Sequence, residues 1–253
     1  MKELIKSKLK QIETEQNVRI LLAVESGSRV WGFPSPDSDY DVRFIYVRPE
    51  EDYLCQKKLR DVIEYPINDD LDISGWDLKK AMKLLCKSNQ ALFEWFSSPI
   101  IYMETESVDL FRKAIPDFFS VKKGLHHYFS MASKHYRKYL SGETVKAKKY
   151  FYALRPVLAC YWIIEWGTPP PILFSKLTEA ELPEYLYSDI QRLLDIKMNA
   201  PEIKEIPKIE LLDDYLQDSI TKIKKMIPEA EDHTGDPEKL NELYNHIVSK
   251  EFC

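Results

Sequence analysis

A Gly-Ser pair and an Asp-x-Asp pair, each bordering an apolar run, constrain this chain more than any other feature. The first run, residues 18–25, leads into Gly27 and Ser28, and the second begins at Asp41. Alternate side chains of a strand point to the same face, so Asp39 and Asp41 are expected to lie side by side. Two carboxylates so close are costly unless a cation lies between them. The pattern therefore predicts a metal site at the start of a strand.

The residue types of this segment indicate which metal and which ligand it would bind. Oxygen ligands on an open face suit Mg²⁺, which usually takes one or two carboxylates together with substrate phosphates. A turn at Gly27 and Ser28 offers backbone N–H groups and a hydroxyl to those phosphates. Gly27 also lets the backbone approach a triphosphate closely. One half of the motif is thus predicted to hold metal and the other half phosphate.

The motif resembles the signature of the nucleotidyltransferase superfamily of the DNA polymerase β type, which is Gly-Ser, a variable spacer and Asp-x-Asp. That superfamily needs a third carboxylate on a neighbouring strand, and Asp72 stands where it is expected. Longer stretches look more like the predicted nucleotidyltransferases of bacteria and phages that are associated with RNA ligase and RNA repair. These stretches lie at residues 25–32, 74–81, 94–100 and 154–156.

The resemblance implies a Mg²⁺-dependent enzyme that moves NMP from an NTP, with ATP the expected donor, to a hydroxyl acceptor. An RNA 3′ end or a tRNA is the acceptor that RNA repair suggests. Asp39, Asp41 and Asp72 are the predicted catalytic residues and the predicted ligands of two Mg²⁺ ions, for which Mn²⁺ would substitute. Two ions so placed activate the attacking hydroxyl and neutralise the pyrophosphate leaving group.

Basic residues are concentrated in one part of an acidic chain. Residues 116–155 contain nine Lys or Arg and two acidic residues, so this segment carries +7 and the remainder −12. A localised anionic ligand is one interpretation, and a solvated helix face is the other. Lys148, Lys149 and Arg155 are the predicted nucleotide-binding residues there, although Arg155 also fits a surface position near a helix bend. Arg29 is predicted either to join the phosphate site or to form a salt bridge.

The fold expected is α+β, a polymerase β-like core with a small mixed sheet and flanking helices, followed by an α-helical domain. We place the catalytic domain at residues 1–115 and the helical substrate- or nucleotide-binding domain at residues 116–253. Hydrophobic periodicity and turn residues predict strands and long helices. The strands are expected at 18–25, 40–47, 62–65 and 71–74, with a hairpin connection at 66–70, and the long helices at 129–140, 145–166, 182–198, 209–227 and 238–251.

Composition excludes several classes of protein. A chain of 253 residues with 44% hydrophobic residues can bury a real core. Its four Cys show no zinc-type spacing, so buried thiols rather than disulfides or zinc ligands are expected. The start of the chain lacks the apolar segment of a signal peptide, and no apolar run is long enough to span a membrane. We therefore expect a cytoplasmic protein.

Two other functions stay open. In the first, the acceptor is a protein hydroxyl instead of RNA, and the net charge of −5 suits that alternative better than broad RNA binding. In the second, the chain is a nucleotide-binding sensor or adaptor without turnover, although an intact set of carboxylates argues against it. The nucleobase, the acceptor and the oligomeric state are not determined by the sequence.

Overall fold

A computed structural model of the chain describes residues 1–35, 38–54, 59–65, 71–199, 205–233 and 235–252. Two 3₁₀ turns, Glu184–Leu186 and Ile227–Glu229, accompany the regular elements. The strands are β1 Arg19–Ser26, β2 Tyr40–Val47, β3 Val62–Glu64, β4 Leu71–Asp77, β5 Ile101–Glu104, β6 Thr144–Lys146 and β7 Glu205–Pro207. The helices are α1 Lys2–Gln16, α2 Gly27–Val30, α3 Glu50–Leu54, α4 Leu78–Cys86, α5 Gln90–Phe96, α6 Val108–Phe118, α7 Val121–Tyr139, α8 Ala147–Trp166, α9 Phe174–Glu181, α10 Tyr187–Asn199, α11 Glu210–Met226 and α12 Pro237–Phe252.

The chain forms two compact units. The sheet unit consists of residues 1–27, 39–119 and 234–253, and the helical unit consists of residues 28–38 and 120–233. The short segment 28–38 therefore leaves the sheet unit and belongs to the helical one. These units agree with an α+β architecture, which confirms the predicted fold class. The functional division at residues 115 and 116 stays a prediction, because compactness does not show which residues act together.

The sheet unit is built on five strands in the order β3-β4-β2-β1-β5. The β2/β4 pair is parallel and the other neighbours are antiparallel. A small mixed sheet is what the resemblance to a polymerase β-like core implies, although the hairpin connection proposed for residues 66–70 lies outside the described residues. Because β3 separates β2 from β4 in sequence, their pairing is a non-local contact.

One face of this sheet is covered by α1. Its apolar stripe, Ile5, Leu9 and Ile12, is buried and recurs at helical spacing. It joins a single buried cluster with the inward side chains of the strands, among them Val42 and Phe44. The alternation along β2 thus buries the even-numbered side chains under α1 and turns the odd-numbered ones to the opposite face.

The opposite face of the sheet is partly covered by α4 and α5. Trp76 on β4 stacks on Trp95 of α5 with ring centroids 3.7 Å apart, so both indoles contribute to packing. Helix α4 begins directly after β4, and its first turn is capped by Asp77, whose carboxylate accepts a hydrogen bond from the Lys79 N–H at 2.8 Å. This arrangement leaves the other end of the face, where β2 and β4 begin, for polar side chains.

The helical unit centres on α7 and α8, with α9, α10 and α11 packed against them. Helix α8 has an almost continuously buried central stretch and ends at Gly167, which is left-handed (φ 63°). The segment 28–38 contributes Phe33, which lies 4.8 Å from Phe151 and 5.1 Å from Phe174 between ring centroids. Strands β6 and β7 form a separate two-stranded ribbon.

Some elements differ from the sequence-based expectation. Helix α7 begins at Val121 rather than near residue 129, because Ser120 caps it and accepts a hydrogen bond from the Lys123 N–H. The ribbon β6/β7 and the helices α3 and α9 were not predicted, because short elements carry little periodicity. Helix α12 packs against α4 in the sheet unit.

Within the described residues, no helix is both long enough and apolar enough to cross a bilayer. The thiol of Cys160 is fully buried, and burial raises its pKa. Cys160 is thus buried as expected, whereas Cys86 is only partly buried.

Gly75→Ala should destabilise the sheet unit. A Cβ on Gly75 would overlap the Phe44 ring on the neighbouring strand, which is itself buried under α1. We expect a loss of about 1–3 kcal/mol in the free energy of unfolding, as for other overpacked cores. Urea denaturation of the variant measures it. Ser74→Ala, in the same strand, adds no atoms and serves as control; equal stability of Gly75→Ala and wild type would contradict the packing argument.

Candidate active site

Two carboxylates lie side by side where the parallel strands β2 and β4 begin. Asp41 and Asp72 are register partners, so their side chains project from the same face of the sheet. Arg43 Nη2 lies 3.1 Å from Asp41 Oδ1 and 2.6 Å from Asp72 Oδ2. The same guanidinium nitrogen thus contacts both carboxylates.

Arg43 supplies the positive charge that this pair requires. It is two residues after Asp41 and therefore on the same face of β2. Its Nη1 also donates to the carbonyl oxygens of Val42 and Asp72, both at 3.1 Å. The three side chains are between about a fifth and a third exposed, so solvent reaches the cluster. A cation between the two carboxylates offsets the repulsion that would otherwise destabilise the site.

Glu25 is a functional candidate that the sequence reasoning did not identify. Its side chain is 1% exposed. Its Oε1 accepts the backbone N–H of Asp41 at 2.8 Å, and its Oε2 accepts the Tyr102 hydroxyl at 2.5 Å. The Ser98 hydroxyl donates to the Glu25 carbonyl oxygen at 2.8 Å. A buried carboxylate needs such partners, and here they fix the backbone at Asp41. The available signal was an acidic residue within the apolar run of β1.

Gly27 directly follows β1, and its backbone lies against the Asp41 carboxylate. Its φ is +64°, in the left-handed region. A Cβ at this position would overlap Asp41 Oδ2. Both observations require glycine, since other residues are strained at this φ and would displace the carboxylate. The backbone geometry at this position therefore requires glycine next to the carboxylate pair.

Asp39, the third predicted ligand, is exposed and precedes β2, which begins at Tyr40. No group of three or more His, Cys, Asp or Glu among the described residues is close enough to hold a metal ion. The structure therefore brings Asp41 and Asp72 together but does not gather Asp39 with both. The physical reason is that Asp39 lies outside the strand whose alternation orients Asp41.

The residues between the two halves of the motif fold within the helical unit. Ser28 Oγ donates to Ser38 Oγ at 3.2 Å, and the Ser35 and Ser38 hydroxyls are 2.8 Å apart. Arg29 Nη2 donates to the Ser38 carbonyl oxygen at 2.5 Å. These hydrogen bonds connect the two ends of the segment. The roles predicted for Ser28 and Arg29 at a phosphate stay predictions.

The three predicted nucleotide ligands of α8 occupy different environments. Lys148 and Lys149 are half-buried in its first turn. Arg155 is only 2% exposed and lies 4.9 Å from the Trp31 ring centroid. The alternative of a surface Arg at a helix bend is therefore wrong, because apolar neighbours enclose this position. Arg155 follows Lys149 by six positions, not on one ideal helix face, so the two need not act together.

Comparisons with known proteins found a matching family model, a relative and a solved structure. The model of the RlaP family, described as the RNA repair pathway DNA polymerase beta family, matches residues 1–246. An uncharacterized protein of Bacillus subtilis (strain 168), YcgL, is 44% identical over 256 residues, covering 99% of this chain and 97% of that protein. A nucleotidyltransferase-like protein from Exiguobacterium sibiricum 255-15 matches with 12% identity and a TM-score of 0.31, covering 89% of this chain and 75% of that one.

Gly27→Ala should perturb the carboxylate pair beyond the cost of its backbone strain. Gly167→Ala is the matched control, because Gly167 has nearly the same φ (63°) and an added Cβ there meets nothing within 4 Å. The control should lose about 1–2 kcal/mol of unfolding free energy from left-handed strain alone. Gly27→Ala should lose about 1–3 kcal/mol more, through its overlap with Asp41. Urea denaturation compares the two, and equal losses would show that Asp41 moves aside at no cost.

Proposed function

Because the chain belongs to the RNA repair pathway DNA polymerase beta family, we propose that it transfers NMP from an NTP to the hydroxyl of an RNA 3′ end. ATP is the proposed donor and the cytoplasm the proposed location. The observation that carries the proposal is the Asp41–Asp72 pair, held on one face of the sheet beside Gly27. Family membership supplies the reaction class, and this pair supplies the chemistry within the chain.

A divalent metal ion is the proposed ligand of the carboxylate pair. Asp41 and Asp72 already share one cation, the guanidinium of Arg43, and both are partly open to solvent. Oxygen donors of this kind suit Mg²⁺, with Mn²⁺ a substitute. We assign Asp41 and Asp72 as its ligands, with Asp39 joining from the segment before β2. When bound, Mg²⁺ neutralises phosphate charge and lowers the pKa of a bound hydroxyl.

The reaction forms one bond and breaks one. The acceptor oxygen bonds to the α-phosphorus of the NTP, the bond from that phosphorus to pyrophosphate breaks, and the hydroxyl proton passes to solvent. Transfer of this kind depends on positioning and charge stabilisation more than on covalent catalysis. Glu25 contributes by holding the Asp41 backbone at 2.8 Å, and Gly27 by leaving room for the Asp41 carboxylate. Ser28, Arg29, Lys148, Lys149 and Arg155 are the proposed phosphate ligands.

A protein hydroxyl is the second candidate acceptor. The net charge of −5 favours it, because a protein with a net negative charge is repelled by the phosphates of RNA. Incubation with each labelled NTP, Mg²⁺ and either total RNA or cell protein separates the two acceptors. Label in RNA supports the first proposal, and label in protein supports the second. No transfer to either pool would favour the nucleotide-binding sensor.

Asp41→Asn should abolish nucleotide transfer while the protein stays folded, because it removes the charge and keeps the shape. The expected loss of rate is at least about 10³-fold, the scale of a major electrostatic contributor. Transfer of labelled nucleotide measures it, and circular dichroism checks the fold. Asp214→Asn, at an exposed position of α11, controls for the loss of one carboxylate. Near-normal transfer by folded Asp41→Asn would overturn the assignment.

Arg43→Met tests the metal assignment without an activity measurement. Removing the guanidinium leaves Asp41 and Asp72 facing each other without its charge. A ligand that binds only the folded state raises the unfolding temperature. We therefore expect Mg²⁺ to raise this temperature more in Arg43→Met than in wild type. The triple variant Arg43→Met, Asp41→Asn, Asp72→Asn should lose the effect; a Mg²⁺ response that is the same in all three proteins would refute metal binding here.

A further inference from the structure

Lysines make up half of the described lining residues of a concave pocket in the helical unit. It has a volume of about 390 Å³ and lies where the last turn of α7 meets β6 and the first turn of α8. Its lining includes Lys138, Lys146, Lys148 and Lys149, and we call it the lysine pocket. Three of these lysines follow one another within four positions of the sequence, and the fold adds the fourth from a different helix.

Aromatic rings hold two of these ammonium groups. Lys149 Nζ lies 4.0 Å from the ring centroid of Tyr139 and 4.7 Å from that of Tyr152. Lys138 Nζ lies 4.9 Å from the Tyr139 centroid. Such cation–π contacts stabilise an ammonium group in a defined place. The Tyr139 and Tyr152 rings thus hold the ammonium groups of Lys138 and Lys149 in place.

The charge of the pocket is strongly one-sided. Glu205 is its acidic lining residue, and it is exposed and accepts a hydrogen bond from Thr144 Oγ1 at 3.5 Å. Burial lowers the pKa of Lys149, and Lys148, Lys146 and Lys138 lower it further against the opposing effect of Tyr139. Bringing these ammonium groups together is therefore electrostatically unfavourable for the folded chain. A bound anion would remove that cost.

The arrangement favours phosphate recognition over base recognition. The Tyr139 ring, besides its two ammonium contacts, is stacked with His135 at 5.6 Å between centroids. Sites that bind single strands through their bases present aromatic rings for stacking. Here the Tyr139 ring instead contacts two lysines and a histidine. The pocket therefore presents donors for phosphate oxygens, which carry no sequence information.

Positive charge also continues outside the pocket. Lys134 is exposed on α7, four residues before Lys138 and therefore on the same face of the helix, about 6 Å away. Burial lowers the pKa of His135 between them, and Lys149, Lys134 and Lys138 lower it further. A single nucleotide needs one cluster of cations, whereas a strand needs cations repeated along its path. The extension along α7 matches a strand.

We propose that the lysine pocket binds backbone phosphates of a single-stranded RNA, without reading its sequence. The identification of that strand as the nucleotide acceptor rests on the proposed function, but the phosphate site itself does not. Lys138 and Lys146 line the pocket but are not among the proposed NTP ligands, so replacing them separates RNA binding from ATP binding.

The test measures binding of a labelled single-stranded oligoribonucleotide of mixed sequence to the full chain at several salt concentrations. Lys138→Ala/Lys146→Ala should weaken RNA binding and lower the slope of log K against log salt. The expected decrease is about 0.7 for each phosphate that the variant no longer neutralises. Binding of ATP, measured in parallel, should stay unchanged. The matched control is Lys224→Ala/Lys225→Ala, which removes two exposed lysines from α11 in the same unit and should bind RNA as wild type does.

A second variant guards against a folding defect. Lys146→Glu reverses charge at an exposed position, so it should keep the unfolding temperature and still weaken RNA binding. Unchanged RNA affinity and salt slope in both folded variants would overturn the proposal, as would a loss of ATP binding with RNA binding intact. A transfer assay on the wild type separates the two proposals: RNA binding with the lysine dependence but no transfer would reject the transferase and keep the pocket.

Discussion

The parallel pairing of β2 with β4 is the constraint on which the candidate site depends. It places Asp41 next to Asp72 and brings Arg43 within hydrogen-bond distance of both. A shift by one residue would turn one carboxylate to the face under α1, where the neighbouring positions are apolar. The packing of α1 therefore protects the register, and through it the chemistry. In this sheet, stability and the proposed function rest on the same strand pair.

A second layer of contacts stabilises this arrangement from within the sheet. Glu25 on β1 is buried and accepts the Asp41 N–H, while Tyr102 on β5 donates to its other oxygen. Three adjacent strands are thereby connected through one carboxylate. Gly27, directly after β1, lets the chain pass over Asp41 without a clash. The position of one proposed ligand is thus set by residues that need not touch a substrate.

The two units distribute charge in a way that fits two proposed tasks. The sheet unit concentrates carboxylates at the start of β2 and β4 and balances them with Arg43. The helical unit concentrates ammonium groups at the lysine pocket and holds two of them with the Tyr139 ring. A metal ion would relieve the first concentration and phosphate the second. In each unit, a ligand of opposite charge would thus reduce the repulsion between neighbouring like charges.

The sequence by itself determined the local features of this protein. The apolar runs predicted β1 and β2, and the count of charges located the basic segment. It did not determine that the segment 28–38 belongs to the helical unit, that α12 packs on the sheet unit, that Glu25 holds Asp41, or that Arg155 is buried beside Trp31. Periodicity records which side of an element is buried but not which distant element buries it. Register, strand partners and the meeting of Lys138 with Lys149 are contacts between residues that are not neighbours in the chain, so only the tertiary structure decided them.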